Sequence, residues 1–225
     1  MSNGAESGWS KVWRVLVNPM QGMATVAERP TVWPGYLVQM AATVVIVALT
    51  LNKTVAATVE KLAASGIPPE AMGVAKISGA ITGLLLALGM PWLGGLILGL
   101  VLKLVGLFQG GTATFRSYLA LYGYARVPAV LGGILQAVLA IPAATVPEAN
   151  KVTISLAALA PNAAGVTRAF LTTLNPFEIW SLALFVIGYA ALNRYKLAKG
   201  VAAGVVLYLI TLVSLFAGTS RSVSL

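Results

Sequence analysis

ISGAITGLLLALGMPWLGGLILGLVL, residues 77–102, runs for twenty-six residues without a charge, between Lys76 and Lys103. A helix of about 20 predominantly apolar residues crosses a ~30 Å hydrocarbon core, so this stretch places the chain in a membrane. The full apolar segment, residues 76–108, would be roughly 50 Å long at 1.5 Å per residue. That is too long for one upright crossing and too short for two crossings with a turn. It predicts one tilted or kinked helix, with Pro91 at the kink because proline cannot donate to the helical ladder. Gly79 and Gly83, then Gly95 and Gly99, form two Gly-x-x-x-Gly pairs. Such small faces let helices approach closely, and packing between spans of one subunit is the preferred reading over a homodimer seam.

Four further apolar segments flank it: 33–51, 127–146, 177–192 and 198–216. The expected fold is an all-α integral membrane protein of five transmembrane helices plus one or two interfacial, amphipathic helices. Residues 1–31 would form a cytoplasmic N-terminal amphipathic segment, 32–218 a single transmembrane domain, and 219–225 a short C-terminal tail. A 225-residue chain that is 58% hydrophobic and 9% charged lies well outside soluble composition.

The residue inventory removes most chemistry. The chain has no His, Cys or Asp, so zinc, copper, haem and iron–sulfur ligand sets have no side chains to draw on. The six carboxylates, Glu6, Glu28, Glu60, Glu70, Glu148 and Glu178, fall in tails, loops and helix ends, and no pair is set up as a catalytic dyad. Neither a Gly-x-Ser-x-Gly elbow nor a phosphate-cradling Gly-x-x-x-x-Gly-Lys occurs. No catalytic residue, metal or cofactor is expected. The net charge of +9 is carried by scattered Lys and Arg, which suit membrane orientation and anionic headgroups better than nucleic acid.

Residues 1–10 are polar and no short apolar run follows them, so no signal peptide is expected. Instead Trp9, Val12, Trp13, Leu16, Val17 and Met20 recur at helical spacing, with Lys11 and Arg14 on the opposite side. Two Trp on one face and cations on the other describe a helix lying in the membrane interface; a helix packed against the protein's own cytoplasmic side fits equally well. Trp33 and Tyr36 suit the aromatic belt at the start of the first span. Phe115, Tyr118, Leu119 and Tyr122 repeat at i, i+3, i+4 and i+7 beside Arg116 and Arg126, which predicts a second interfacial or re-entrant helix ahead of a span starting near Pro128. Between residues 145 and 174 the chain is moderately polar, and 154–159 reads as a surface helix.

With the N-terminus inside, nine cations and two Glu fall on the inner side, six cations and four Glu on the outer. The positive-inside bias predicts a cytoplasmic N-terminus and an external C-terminus, in a prokaryotic inner membrane.

Three segments carry a family resemblance: Val12-Trp13-Arg14-Val15-Leu16-Val17-Asn18-Pro19 leading to Glu28-Arg29-Pro30, then Tyr122-Gly123-Tyr124-Ala125-Arg126-Val127-Pro128, then Asn175-Pro176-Phe177-Glu178-Ile179-Trp180. In order and spacing they resemble the Yip (Ypt-interacting protein) family in its short prokaryotic form, with Ala125 where Ser is common. The resemblance implies a non-enzymatic, trafficking-like membrane protein. Only about thirty residues precede the first span and the Asp-Leu-Tyr-Gly-Pro motif is absent, so binding of Rab GTPases is not carried over.

The leading expectation is a protein that organises or shapes the bilayer, or scaffolds partners, through interfacial lipid contacts. Its partners would be membrane lipids and possible homo-oligomers or other membrane proteins. The competing class is a small-molecule, ion or lipid transporter or channel, with a helix break around Pro91. Lys103, Arg116, Tyr122, Tyr124 and Arg126 are the expected contacts to anionic lipid, converging at headgroup depth on the cytoplasmic side. Lys103 and Glu178 would snorkel from span ends.

Overall fold

The structure, a computed structural model, describes residues 7–66, 69–149 and 151–221. Among these the chain is helical, with no strand. The helices are α1 (Gly8–Val17), α2 (Pro19–Glu28), α3 (Trp33–Ala64), α4 (Pro69–Phe108), α5 (Phe115–Ala125), α6 (Val127–Leu139), α7 (Val146–Ala149), α8 (Gly165–Thr173), α9 (Pro176–Asn193) and α10 (Leu197–Arg221), with a 3-10 turn at Leu156–Leu159 before α8.

Four helical stretches are long and apolar enough to cross a membrane: Trp33–Ala64, Lys76–Phe108, Phe115–Leu139 and Pro176–Asn193. Leu197–Val213, within α10, is a shorter apolar helix in the position expected for the fifth span. The outer faces of α3 and α4 carry exposed Leu37, Val44, Ile77, Ile81, Leu85 and Leu93. Contiguous apolar surface of this kind marks contact with lipid.

Two expectations are corrected. The segment 115–124 is neither interfacial nor re-entrant. α5 and α6 follow one another through Arg126 as a single crossing, the most buried of the four. The third span is therefore 115–139 rather than 127–146. Among the described residues the connection beyond it holds the short α7, a 3-10 turn at Leu156–Leu159 where a surface helix was expected over 154–159, and α8.

Each start has a local cause. Asn18 caps α2 by accepting from the Gln21 amide at 3.3 Å, with Pro19 following. Thr114 caps α5 by accepting from Ser117, and Asn175 caps α9 by accepting from Phe177 at 2.8 Å, with Pro176 at the first helical position. A short polar side chain then proline is the combination that starts a helix without stranding an amide. α9 ends at Arg194, which takes the left-handed conformation (φ 55°), so the tight turn to α10 uses a non-glycine residue.

Cross-contacts give the running directions. Gly35 meets Gly123, Ile46 meets Gly133 and Lys53 reaches Ala140, so α3 runs parallel to α5–α6. Phe177 faces Gly132 and Tyr118 donates to Asn193, so α9 runs antiparallel. Gly94 faces Tyr122 and Gly106 faces Tyr118, so α4 is antiparallel as well. α3 begins only at the level of Tyr122–Tyr124. α1 and α2 occupy the space beside the rest of α5 and α9, where the Met23 methyl reaches Gly188.

The core is built from tyrosine on glycine. Tyr118, Tyr122 and Tyr36 direct their hydroxyls at Gly106, Gly94 and Gly95 of α4, where an added Cβ would lie 2.3, 2.4 and 1.8 Å from those oxygens. Tyr36 stacks on Trp92 (4.1 Å, 18°) and is fully buried, so it belongs to the core and not to an aromatic belt. The first Gly-x-x-x-Gly pair packs against nothing within 4 Å of Gly79 or Gly83; these residues line an open groove facing Val47–Thr58 of α3. In the second pair, Gly95 holds Tyr36 and Tyr122, and Gly99 touches Phe115 and Leu119.

Candidate functional site

Arg126 sits at the join of α5 and α6 because Pro128 follows it. Proline supplies no N–H, and its ring crowds the carbonyl one turn back. The join is repaired from neighbouring helices. The Gln39 amide of α3 donates to the Gly123 carbonyl at 3.1 Å, and the Ala129 amide donates to the Ser181 hydroxyl of α9 at 3.1 Å. Backbone groups freed inside a membrane must find such partners. Glycine at both positions lets the helices close: a Cβ on Gly35 would lie 2.4 Å from the Gly123 carbonyl carbon, and a Cβ on Gly123 would meet the Tyr36 ring at 3.1 Å. α3 crosses the join at backbone contact.

Across the join, Arg126 forms a two-pronged ion pair with Glu178. Nη1 donates to Oε2 at 2.6 Å and Nη2 to Oε1 at 3.3 Å. Paired fork-to-carboxylate geometry is the strong form of this interaction. Arg126 lies eleven residues into the crossing that starts at Phe115, about 16 Å along it at 1.5 Å per residue, so the pair sits part-way along the crossing. Glu178 reaches that depth because α9 starts recessed, with Phe177 level with Gly132 of α6. It occupies the first turn of α9, where a carboxylate also favours the positive end of the helix dipole. Nothing in the sequence pairs these two residues, fifty-two positions apart; in the fold they touch.

The pair borders a cavity of about 440 Å³, a size typical of small-molecule sites. Leu98, Phe185 and Leu207 supply apolar walls; Tyr122, Thr173 and Tyr208 add hydroxyls. The side chains of Arg126 and Glu178 retain 31% and 41% exposure, and the Thr173 and Tyr208 hydroxyls lie 3.3 Å apart. The site therefore offers a cation, an anion and hydroxyls within an apolar wall.

The five expected lipid contacts do not converge. Lys103 donates to the Ala113 carbonyl at 2.8 Å near the α4–α5 turn. Arg116 is exposed near the start of α5, ten residues and so about 15 Å along the helix from Arg126. Tyr122 and Tyr124 are buried, and Tyr124 shares a hydrogen bond of 2.7 Å with Thr31. Glu178 does not snorkel from a span end but pairs inward. The Arg126–Glu178 pairing was missed, and its one available signal was that both residues stand within the motif segments.

The N-terminal helix is also turned. Lys11 is 1% exposed, its ammonium donating to the Arg29 carbonyl at 2.5 Å at the end of α2, and Val15 is buried beside it. Val12 packs against the core and Leu16 is half-buried. Trp9, Trp13, Val17 and Met20 face outward, Trp9 and Trp13 at 57% and 67% exposure.

Two of the three motif segments meet at the helix join, Tyr122–Pro128 forming it and Asn175–Trp180 delivering Glu178 to it; of the first segment, Asn18-Pro19 starts α2 away from the join, and the chain just beyond Arg29 reaches it through Thr31, bonded to Tyr124. The Yip1 domain family model matches residues 13–218. The chain belongs to the Yip1 domain family. A membrane protein of Bacillus subtilis (strain 168), YknW, is 28% identical over 230 residues, covering 99% of this chain and 96% of its own length. No solved structure matches. The Yip1 domain accounts for nearly the whole chain, and with it the segments that build the join, so the candidate site belongs to the domain and not to an appended part.

Proposed function

We propose that this Yip1-domain protein is a non-enzymatic membrane-organising protein that acts by inserting α1 into one leaflet. The observation that carries the reading is the outward stripe Trp9, Trp13, Val17 and Met20 on a helix whose own lysine is turned inward and satisfied. An in-plane helix with bulky apolar side chains on one face occupies volume at the headgroup–acyl boundary and responds to lipid packing. Exposed Arg116, Arg194, Lys196 and Lys199 at the same end of the bundle suit contact with anionic headgroups, each cation contributing about 1 kcal/mol near such a surface.

The test is Trp9→Ser with Trp13→Ser in the full chain, reconstituted in liposomes. The expected outcome is a spin label at Val17 that loses membrane depth and gains mobility, while helicity and thermal unfolding stay unchanged. Unchanged depth and mobility would count against α1 as a wedge. A transport reading draws its own support from the cavity beside Arg126 and Glu178, since ionisable side chains inside a bundle mark solute pathways by default. It predicts solute flux in proteoliposomes, and the wedge reading predicts none.

A further inference from the structure

We propose that the cavity bordered by Arg126 and Glu178 binds a zwitterionic amphiphile, the anion of its headgroup on Arg126 and its ammonium on Glu178. The inference is independent of α1 and its face.

Charge balance makes the argument. In a low-dielectric bundle, a ligand that takes one member of an ion pair leaves the other uncompensated, which is the costly case. A singly charged ligand faces that penalty whichever side it approaches. A neutral ligand leaves the pair closed and makes no use of it. A zwitterion exchanges with both partners at once: its anion replaces the carboxylate on the guanidinium, its ammonium replaces the guanidinium on the carboxylate, and the site stays neutral. Arg is suited to a planar or tetrahedral oxyanion through its fork, and the Glu178 carboxylate can accept N–H donors from a primary ammonium but none from a quaternary one.

The rest of the cavity fits the same ligand. Both charged side chains are partly open to it rather than sealed against each other. Leu98, Phe185 and Leu207 offer an apolar wall beside the pair, which a freely hydrated solute would not need. Thr173 and Tyr208 hold hydroxyls at the edge, positioned for ester or phosphate oxygens. At about 440 Å³ the space suits a headgroup and the first part of an apolar chain.

The chemistry is shared by a lipid headgroup and by its free, water-soluble form, so the test uses both. Purified full-length protein would be reconstituted in nanodiscs, and retained lipid measured by native mass spectrometry against phosphatidylethanolamine, phosphatidylcholine and phosphatidylglycerol offered in equal amounts. The expected result is at least a tenfold preference for phosphatidylethanolamine over both others. Glu178→Gln should level phosphatidylethanolamine with phosphatidylcholine. The charge swap R126E/E178R keeps an ion pair, though it places the cation at the α9 N-terminus where the helix dipole disfavours it; a folded swap, checked by unfolding, should lose the preference, because the charges are reversed while the apolar wall stays in place. Glycerophosphoethanolamine that displaces the bound lipid tenfold assigns the site to a soluble zwitterion; failure to displace assigns it to the lipid. Equal retention of the three lipids by the native protein, or an undiminished preference in the folded charge swap, overturns the proposal.

Discussion

Gly35 and Gly123 set how closely α3 approaches the α5–α6 join, and the approach is backbone on backbone. A Cβ added at Gly35 meets the carbonyl carbon of Gly123 at 2.4 Å, its oxygen at 2.7 Å and the Tyr124 amide at 2.8 Å. None of these atoms ends a flexible side chain, so the strain has nowhere to go. Gly35→Ala should destabilise the bundle by about 1–3 kcal/mol, the range for overpacking a close-packed interior. Gly79→Ala, with nothing within 4 Å, should leave stability within about 0.5 kcal/mol, as for substitutions away from packed features. Thermal unfolding of both variants in the same detergent checks the contrast. Equal effects would mean that the small faces of α3 and α4 act differently from their packing.

At the scale of helices, the crossing that sequence placed worst is the one at the centre. Phe115, Tyr118, Leu119 and Tyr122 mark one helical face by their spacing, but spacing says nothing about whether that face meets lipid or protein. The partners of these side chains, Gly94, Gly99 and Gly106, lie on α4, the helix just before, and have no side chains of their own to announce a contact. Two arginines at the ends of the stretch reinforced an interfacial reading. Only pairing with Glu178 explains a guanidinium part-way along a crossing, and Glu178 is fifty-two residues away. By contrast α3 and α4, whose faces look outward to lipid, were legible from hydropathy alone. The far end of the central crossing carries a testable detail. Lys53 of α3 donates to the carbonyls of Ala140 and Ile141, the latter at 2.9 Å, supplying the cation that favours a helix C-terminus. Lys53→Met keeps the stem and removes the donor. It should lower stability by about 1 kcal/mol and speed amide exchange in the last turn of α6 while leaving α5 protected, as hydrogen exchange would record.

The whole molecule has two distinct ends. Gln109 accepts from Tyr195 at 2.9 Å, Tyr118 donates to Asn193 at 2.8 Å and Lys199 lies 4.2 Å from the Tyr195 ring centre, gathering the α4–α5 and α9–α10 turns at one end with α1 and α2 beside them. Lys53, Ala140 and Ile141 mark the opposite end, and α3 continues past it to Ala64. Removing Arg126 and Glu178 from the charge comparison, because they neutralise each other inside the bundle, leaves eight cations at the first end against six at the second. The positive-inside bias therefore still favours a cytoplasmic first end, carrying the N-terminus with it. Ser65 and Lys196 are exposed, one at each end, and the chain contains no cysteine to interfere. In intact cells a membrane-impermeant maleimide should label a Ser65→Cys variant and spare a Lys196→Cys variant until the membrane is opened. Labelling of both before permeabilisation would place the two turns on one side and break the alternation of α3, α4, α5–α6, α9 and α10. The reverse pattern would keep the fold and invert its orientation, which would move α1, with its outward tryptophans, to the outer leaflet.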